Sequence, residues 1–103
     1  MRPPRGGLRH RYLVAYDIRE PGRLRRTHAT MLGYGDPLQY SVFLCDLSDA
    51  ERALMEAALL RVIRVASDSV VIVDLGPAMG LAARRIRSIG SASLPRRQRY
   101  HVV

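Results

Sequence analysis

The segment Tyr12–Ile18, YLVAYDI, constrains the fold of this chain more than any other. It is a continuous apolar, β-favouring run that ends in a carboxylate, Asp17, one residue before Ile18. Unbroken runs of this kind are buried central strands. A central strand needs partners on both edges and helices to cover it, and the sequence supplies both. Pro21 suits the first turn of a helix, and RLRRTHATMLGYG places Leu24, His28, Met31 and Leu32 along one helical face before Gly33 and Gly35 stop it. Leu38 to Leu47 alternates apolar and polar faces as a single strand. Ser48 and Glu51 form a capping box for a helix running to about Arg64, with Leu54, Met55, Ala58, Leu59, Val62 and Ile63 as its buried stripe. Ser69 to Leu75, SVVIVDL, is a β-branched strand ended by Gly76 and Pro77. Ala82 to Ile89 reads as a short helix running into a strand, and Tyr100 to Val103 as a short terminal strand. Strands interleaved with two helices give an α/β or α+β sandwich, helices on one face of a sheet.

At 103 residues the chain has room for one domain and a modest core. The organisation expected is a basic flexible extension over residues 1–11, a folded domain over 12–90 and a basic C-terminal tail over 91–103. The single cysteine, Cys45, precludes an intramolecular disulfide, and no Cys or His pair has zinc-ligand spacing. Cys45 reads as a small buried hydrophobe, and Met31, Met55 and Met79 as core filler. No apolar run approaches the roughly 18 residues of a membrane span, and the Arg-rich start lacks the features of a signal peptide, so a cytoplasmic location is expected.

Charge sets the class of partner. Seventeen basic residues, all Arg, against nine acidic ones leave a formal charge of +8, which favours polyanions. The positives are segregated. Residues 1–11 carry four Arg, residues 19–26 carry Arg19, Arg23, Arg25 and Arg26, and residues 84–99 carry six with no acid among them. The middle of the chain is acidic.

Asp17 is the main candidate for chemistry. A carboxylate at the tip of an apolar strand either reaches solvent, where it can ligate a metal, or caps the helix that opens near Pro21. One carboxylate is a sparse catalytic set, because Mg²⁺ takes about six oxygens, often one or two carboxylates plus waters. A twofold dimer with Asp17 near its axis would supply two carboxylates from one position in the sequence. His10, His28 and His101 have no evident partner for general-base work, and His28 reads as a packed helix residue.

The order YLVAYDI, basic RLRR, LQYSVFLCDLS and DSVVIVDLG resembles the CRISPR-associated protein 2 family, with Tyr16-Asp17-Ile18 and Gln39-Tyr40-Ser41-Val42-Phe43 as the most specific parts. The resemblance implies an α+β, ferredoxin-like βαββαβ sandwich with an extra C-terminal strand, assembled as a homodimer. It implies a tight hairpin turning near Tyr40 and Ser41, where alternation alone reads one strand, and docking of Tyr100 to Val103 on the partner's sheet. It places the metal-binding, catalytic aspartate on Asp17 and nucleic-acid-binding residues on Arg19, Arg23, Arg25 and Arg26. Ser41 and Phe43 then flank the site. The implied function is CRISPR spacer acquisition, by a Mg²⁺- or Mn²⁺-dependent endonuclease acting on RNA or DNA that also bridges integrase subunits on duplex DNA. A structural DNA-binding subunit without physiological cleavage, and a toxin-like ribonuclease on the same fold, are the alternatives.

Overall fold

The structure, a computed structural model, describes residues 8–79 and 85–90. In chain order it contains β1 (His10–Asp17), α1 (Pro21–Met31), β2 (Asp36–Gln39), β3 (Val42–Leu47), α2 (Asp49–Leu60) and β4 (Ser69–Pro77). The strands form one antiparallel sheet in the order β2-β3-β1-β4. This is the α+β, βαββαβ arrangement that the resemblance implies. The apolar YLVAYDI run occupies a central strand, as its composition requires.

Alternation misreads Leu38 to Leu47 as one strand, and the structure folds it into a hairpin with its turn at Tyr40 and Ser41. The pairing slips between Pro37 and Gln39, an irregularity that periodicity cannot register. Gly35 admits the entry into this hairpin: a Cβ there would collide with the Leu44 carbonyl and the Cys45 thiol.

Both helices cover the same face of the sheet. Tyr12, Val14 and Tyr16 of β1 and Phe43, Cys45 and Leu47 of β3 pack with Met31 of α1 and with Met55 and Leu59 of α2. Val14, Met31, Phe43, Cys45 and Met55 have no exposed surface. Burial pushes the Cys45 thiol up to about 12, consistent with a small core residue. The capping box forms as the sequence predicts, with the Ser48 hydroxyl accepting from the Glu51 amide and the Glu51 carboxylate accepting from the Ser48 amide. α2 stops at Leu60, and its buried face is narrower than expected: Met55 and Leu59, one turn apart, carry the contact, while Leu54 is turned away from it and exposed. In α1 the buried residues are Thr27 and Met31, and Leu32, just beyond the helix end, is exposed. Thr27 tolerates burial because its hydroxyl donates to the Arg23 carbonyl. Met79 is exposed rather than part of the core.

The folded unit begins earlier than composition suggests. β1 opens at His10, the Arg9 carbonyl accepts from the Ala78 amide, and buried Arg11 makes a two-pronged pair with Asp46 at 2.8 and 3.0 Å. Arg9 and Arg11 are thus part of the folded unit, and composition misses this because the acids that pair with them, Glu51 and Asp46, lie far along the chain. Of Ala82 to Ile89, the described residues 85–89 form no regular element, and Arg85 donates to the Leu75 carbonyl. The expected strand at Tyr100 to Val103 lies outside the described residues.

Candidate active site at the tip of β1

Asp17 is the last residue of β1, paired across the sheet with Ser69 at the start of β4. On its other side lies the hairpin turn, where the Ser41 carbonyl accepts the Tyr16 amide at 3.0 Å. Strand alternation sends Tyr16 toward the helices and Asp17 to the opposite face, where it is exposed. Among the described residues the Asp17 side chain has no hydrogen bond or ion pair.

The capping alternative for Asp17 fails for a local reason. Glu20 is the N-cap of α1, and its two carboxylate oxygens accept from the Gly22 and Arg23 amides at 2.9 and 2.7 Å. Those bonds hold the Glu20 carboxyl below its ordinary value. With the helix end already satisfied, Asp17 is left available at the strand tip.

The hairpin beside Asp17 is fixed through one carbonyl. Tyr16 donates its hydroxyl to the Tyr40 carbonyl at 2.6 Å, and His28 Nδ1 lies 2.8 Å from the same oxygen. A carbonyl can only accept, so in this contact His28 donates from Nδ1. The His28 and Tyr40 rings stack at 3.9 Å, 4° from parallel, and Phe43 meets His28 edge-on at 5.3 Å. Burial raises the Tyr16 phenol to about 12, with Tyr40 adding to the shift. Of the two flanking positions that the resemblance implies, Ser41 therefore reaches the tip of β1 through its backbone. Phe43 is fully buried and acts from beneath, stacked against Tyr16 at 6.2 Å.

The arginines divide into two groups. Arg19, Arg25 and Arg26 are exposed. Arg23 is committed inside the protein: its Nε donates to Asp68 at 2.8 Å and its Nη2 reaches the other oxygen of Asp68 at 3.3 Å. Asp68 also accepts the Arg19 amide at 2.9 Å and the Arg64 amide at 2.8 Å. The Arg23 guanidinium and then these two amides drive the Asp68 carboxyl far below the usual carboxylate range, outweighing its burial. Asp68 thus ties the β1–α1 connection, the first turn of α1 and the α2–β4 connection into one unit. By local pattern alone Ser67 and Asp68 read as a turn into the Ser69 to Leu75 strand. The Asp preceding a β-branched strand carries no sign of a partner 45 residues away.

One chain offers a single free carboxylate to a metal at this site. Asp68 is saturated by donors, and no group of three or more His, Cys, Asp or Glu side chains able to hold an ion occurs among the described residues. A lone exposed carboxylate suits Mg²⁺, a hard cation that keeps most of its waters, and does not suit a metal needing a closed protein cage.

The sequence model of the family described as CRISPR associated protein Cas2 matches residues 10–79. The chain belongs to the Cas2 family. It is 43% identical over 88 residues to the CRISPR-associated endoribonuclease Cas2 of Geobacter sulfurreducens, covering 85% of this chain and 92% of that protein. It is 41% identical, again over 88 residues, to CRISPR-associated endoribonuclease Cas2 1 of Rhodospirillum rubrum, covering 85% of each. Among solved structures it is similar to Streptococcus pyogenes Cas2, with a TM-score of 0.66 and 29% identity over 78% of this chain and 99% of that one. A hypothetical protein, TT1823 from Thermus thermophilus, superposes with a TM-score of 0.71 at 26% identity, covering 85% of this chain and 99% of that one. The chain shares its ferredoxin-like fold with the Streptococcus pyogenes Cas2 structure. The span matched to Cas2 contains Asp17, the arginines of α1, the Tyr40–Ser41 hairpin and Asp68.

Proposed function

We propose that this chain is a nucleic-acid-handling subunit of CRISPR spacer acquisition, a homodimeric endonuclease that hydrolyses phosphodiester bonds at Asp17 with Mg²⁺ or Mn²⁺ and binds duplex DNA for the integrase. The observation that carries this reading is the state of Asp17: an exposed carboxylate at a strand tip, relieved of helix capping by Glu20. The names of the curated relatives, CRISPR-associated endoribonucleases, support a nuclease activity.

Asp17 would hold the divalent ion together with waters and a second Asp17 from the partner. A bound Mg²⁺ lowers the pKa of a coordinated water and offsets charge on a phosphodiester. The chain's own residues do the positioning. Tyr16 and His28 pin the Tyr40 carbonyl and with it the turn beside Asp17, while Arg19, Arg25 and Arg26 present guanidinium groups to phosphates.

The sheet face away from the helices supports dimerisation with a second copy of the chain. Val71 and Val73 are 56% and 41% exposed there, next to Ala15 and Leu13 in the register, and alternation puts Asp17 on that same face. Pairing two such faces would cover the apolar strip and bring together the carboxylates that one chain lacks.

The test is Asp17→Asn with dimerisation followed by light scattering. Loss of Mg²⁺-dependent cleavage of RNA and DNA in a variant that stays dimeric is the expected result, and retained cleavage by that dimer removes the site. A second reading, a DNA-binding subunit without physiological cleavage, is favoured by the lack, among the described residues, of any group of three or more His, Cys, Asp or Glu side chains able to hold an ion beside Asp17. It predicts salt-dependent DNA binding by parent and variant alike, with no turnover by either.

A further inference from the structure

The Asp68 carboxylate brings together residues that the sequence keeps far apart. Its two oxygens take the Arg19 amide at 2.9 Å and the Arg64 amide at 2.8 Å, so the backbones of residues 19 and 64 sit side by side on one anion. Both side chains are exposed, and neither has a hydrogen bond or ion pair among the described residues. Their neighbour Val65 is 72% exposed, so the α2–β4 connection stands clear of the fold at this point.

The local charge favours an anion here. Asp68 is buried and carries Arg23 as its counter-ion at 2.8 Å, and Glu20 is occupied with the Gly22 and Arg23 amides. The acids of this corner are thus consumed internally, apart from Asp17 at the strand tip. Arg19 and Arg64 remain as two outward guanidinium groups fixed at their backbones on one rigid base. A guanidinium presents donors in a fork suited to phosphate oxygens, and holding the backbone in place lowers the ordering cost of using it.

We propose that Arg64 joins Arg19 in a phosphate-binding pair on the Asp68 base, extending the nucleic-acid interface from α1 onto the α2–β4 connection. The ligand is the phosphodiester backbone shared by DNA and RNA. Arg23 serves the pair from inside, as the counter-ion that keeps Asp68 charged and buried. The inference rests on the nucleic-acid reading above and adds to it a residue outside the basic first helix.

The experiment is fluorescence-anisotropy titration of the full chain with labelled duplex DNA and, in a second arm, single-stranded RNA, across a salt series. Neutralising one phosphate contact lowers the slope of log K against log salt by about 0.9 on duplex DNA and about 0.7 on a single strand. Arg64→Gln is expected to lose that increment, so that the parent's advantage over the variant on duplex DNA falls about 3-fold between about 50 and about 200 mM salt. Arg64→Lys should restore most of the slope. Arg52→Gln is the control, an equal change in charge on an α2 residue already paired with Glu56 at 2.7 Å, and its slope should match the parent's. Loss in the duplex arm alone assigns the pair to DNA, and loss in the RNA arm alone assigns it to RNA. A steep parental slope left unchanged by Arg64→Gln, or reduced equally by Arg52→Gln, overturns the pair and leaves the wider nucleic-acid reading standing. A flat parental slope overturns both. Because the Asp68 bond uses the Arg64 amide and not its side chain, Arg64→Gln should unfold at the parental temperature.

Discussion

Asp68 holds Arg23 through Nε at 2.8 Å, with no part of the Asp68 side chain exposed and 16% of the Arg23 side chain. A buried carboxylate is tolerated only when its lone pairs are filled, and here the Arg19 and Arg64 amides complete the set. The ion pair acts as a fastener. It fixes the connection that follows Asp17 to the connection that precedes β4.

This linkage gives stability a specific pH dependence. The Asp68 carboxyl titrates far lower when folded than the ordinary value of about 3.9. Its contribution is therefore complete above that value and is lost as the pH falls toward the folded value. Asp68→Asn should lower the melting temperature at neutral pH, and the gap between parent and variant should narrow below about pH 4. Thermal unfolding followed by circular dichroism across that range checks it, and a gap independent of pH contradicts it.

The arginines of α1 should separate by experiment although they look alike in sequence. Arg23→Gln leaves Asp68 buried without its counter-ion, so the melting temperature should fall along with nucleic-acid binding. Arg25→Gln alters an exposed side chain, so stability should stay within about 0.5 kcal/mol while the salt dependence of binding weakens. Paired melting and anisotropy measurements distinguish the two, and equal melting temperatures for both variants would place Arg23 outside the fastener.

What was legible in the sequence followed from local pattern. The YLVAYDI run read as a central strand, the Ser48 and Glu51 pair as a helix start, and SVVIVDL as a strand, because each signal lies within a few neighbouring residues. The failures share a cause. The hairpin at Tyr40 and Ser41 is hidden by an alternation that continues through the turn, and the family resemblance, not the local pattern, implies it. The commitment of Arg23 to Asp68, and of Arg9 and Arg11 to Glu51 and Asp46, depends on partners 35 to 45 residues away. Composition counts such charges without pairing them. At the site, the position of Asp17 was readable, but its freedom from capping depended on Glu20, an uncommon N-cap residue.

Tyr16 should report on the turn beside Asp17. Its phenol is raised to about 12 by burial and by Tyr40, so folding favours the neutral form. The resulting stability is fully present below the ordinary value of about 10 and is lost as the pH rises through the folded value. Tyr16→Phe should cost about 1 kcal/mol at neutral pH through the missing bond to the Tyr40 carbonyl. Its alkaline unfolding curve should also lack the component that the parent shows above about pH 10. Denaturant unfolding at several pH values, with the phenol absorbance followed in parallel, tests both expectations.

The apolar sheet face gives the last prediction. Val70 and Ile72 pack against the core, whereas Val71 and Val73, between and beyond them on β4, face away from the helices. Val73 is opposite Leu13 in the register, and Leu13 is opposite Leu44, so an apolar row crosses three strands on the side that carries Asp17. In the proposed dimer a charge placed in that row would meet its own copy across an isologous interface, where both charges would have to be desolvated together. Val73→Asp should therefore convert a dimer into a monomer by size-exclusion chromatography with light scattering. Its circular dichroism should remain that of the parent, because the side chain is already 41% exposed in the single chain. Nuclease activity should disappear with the dimer, since each monomer retains only one Asp17. Cleavage by a stable monomer would show that one Asp17 is sufficient for the chemistry, and a dimer that survives the substitution would place the interface on another face.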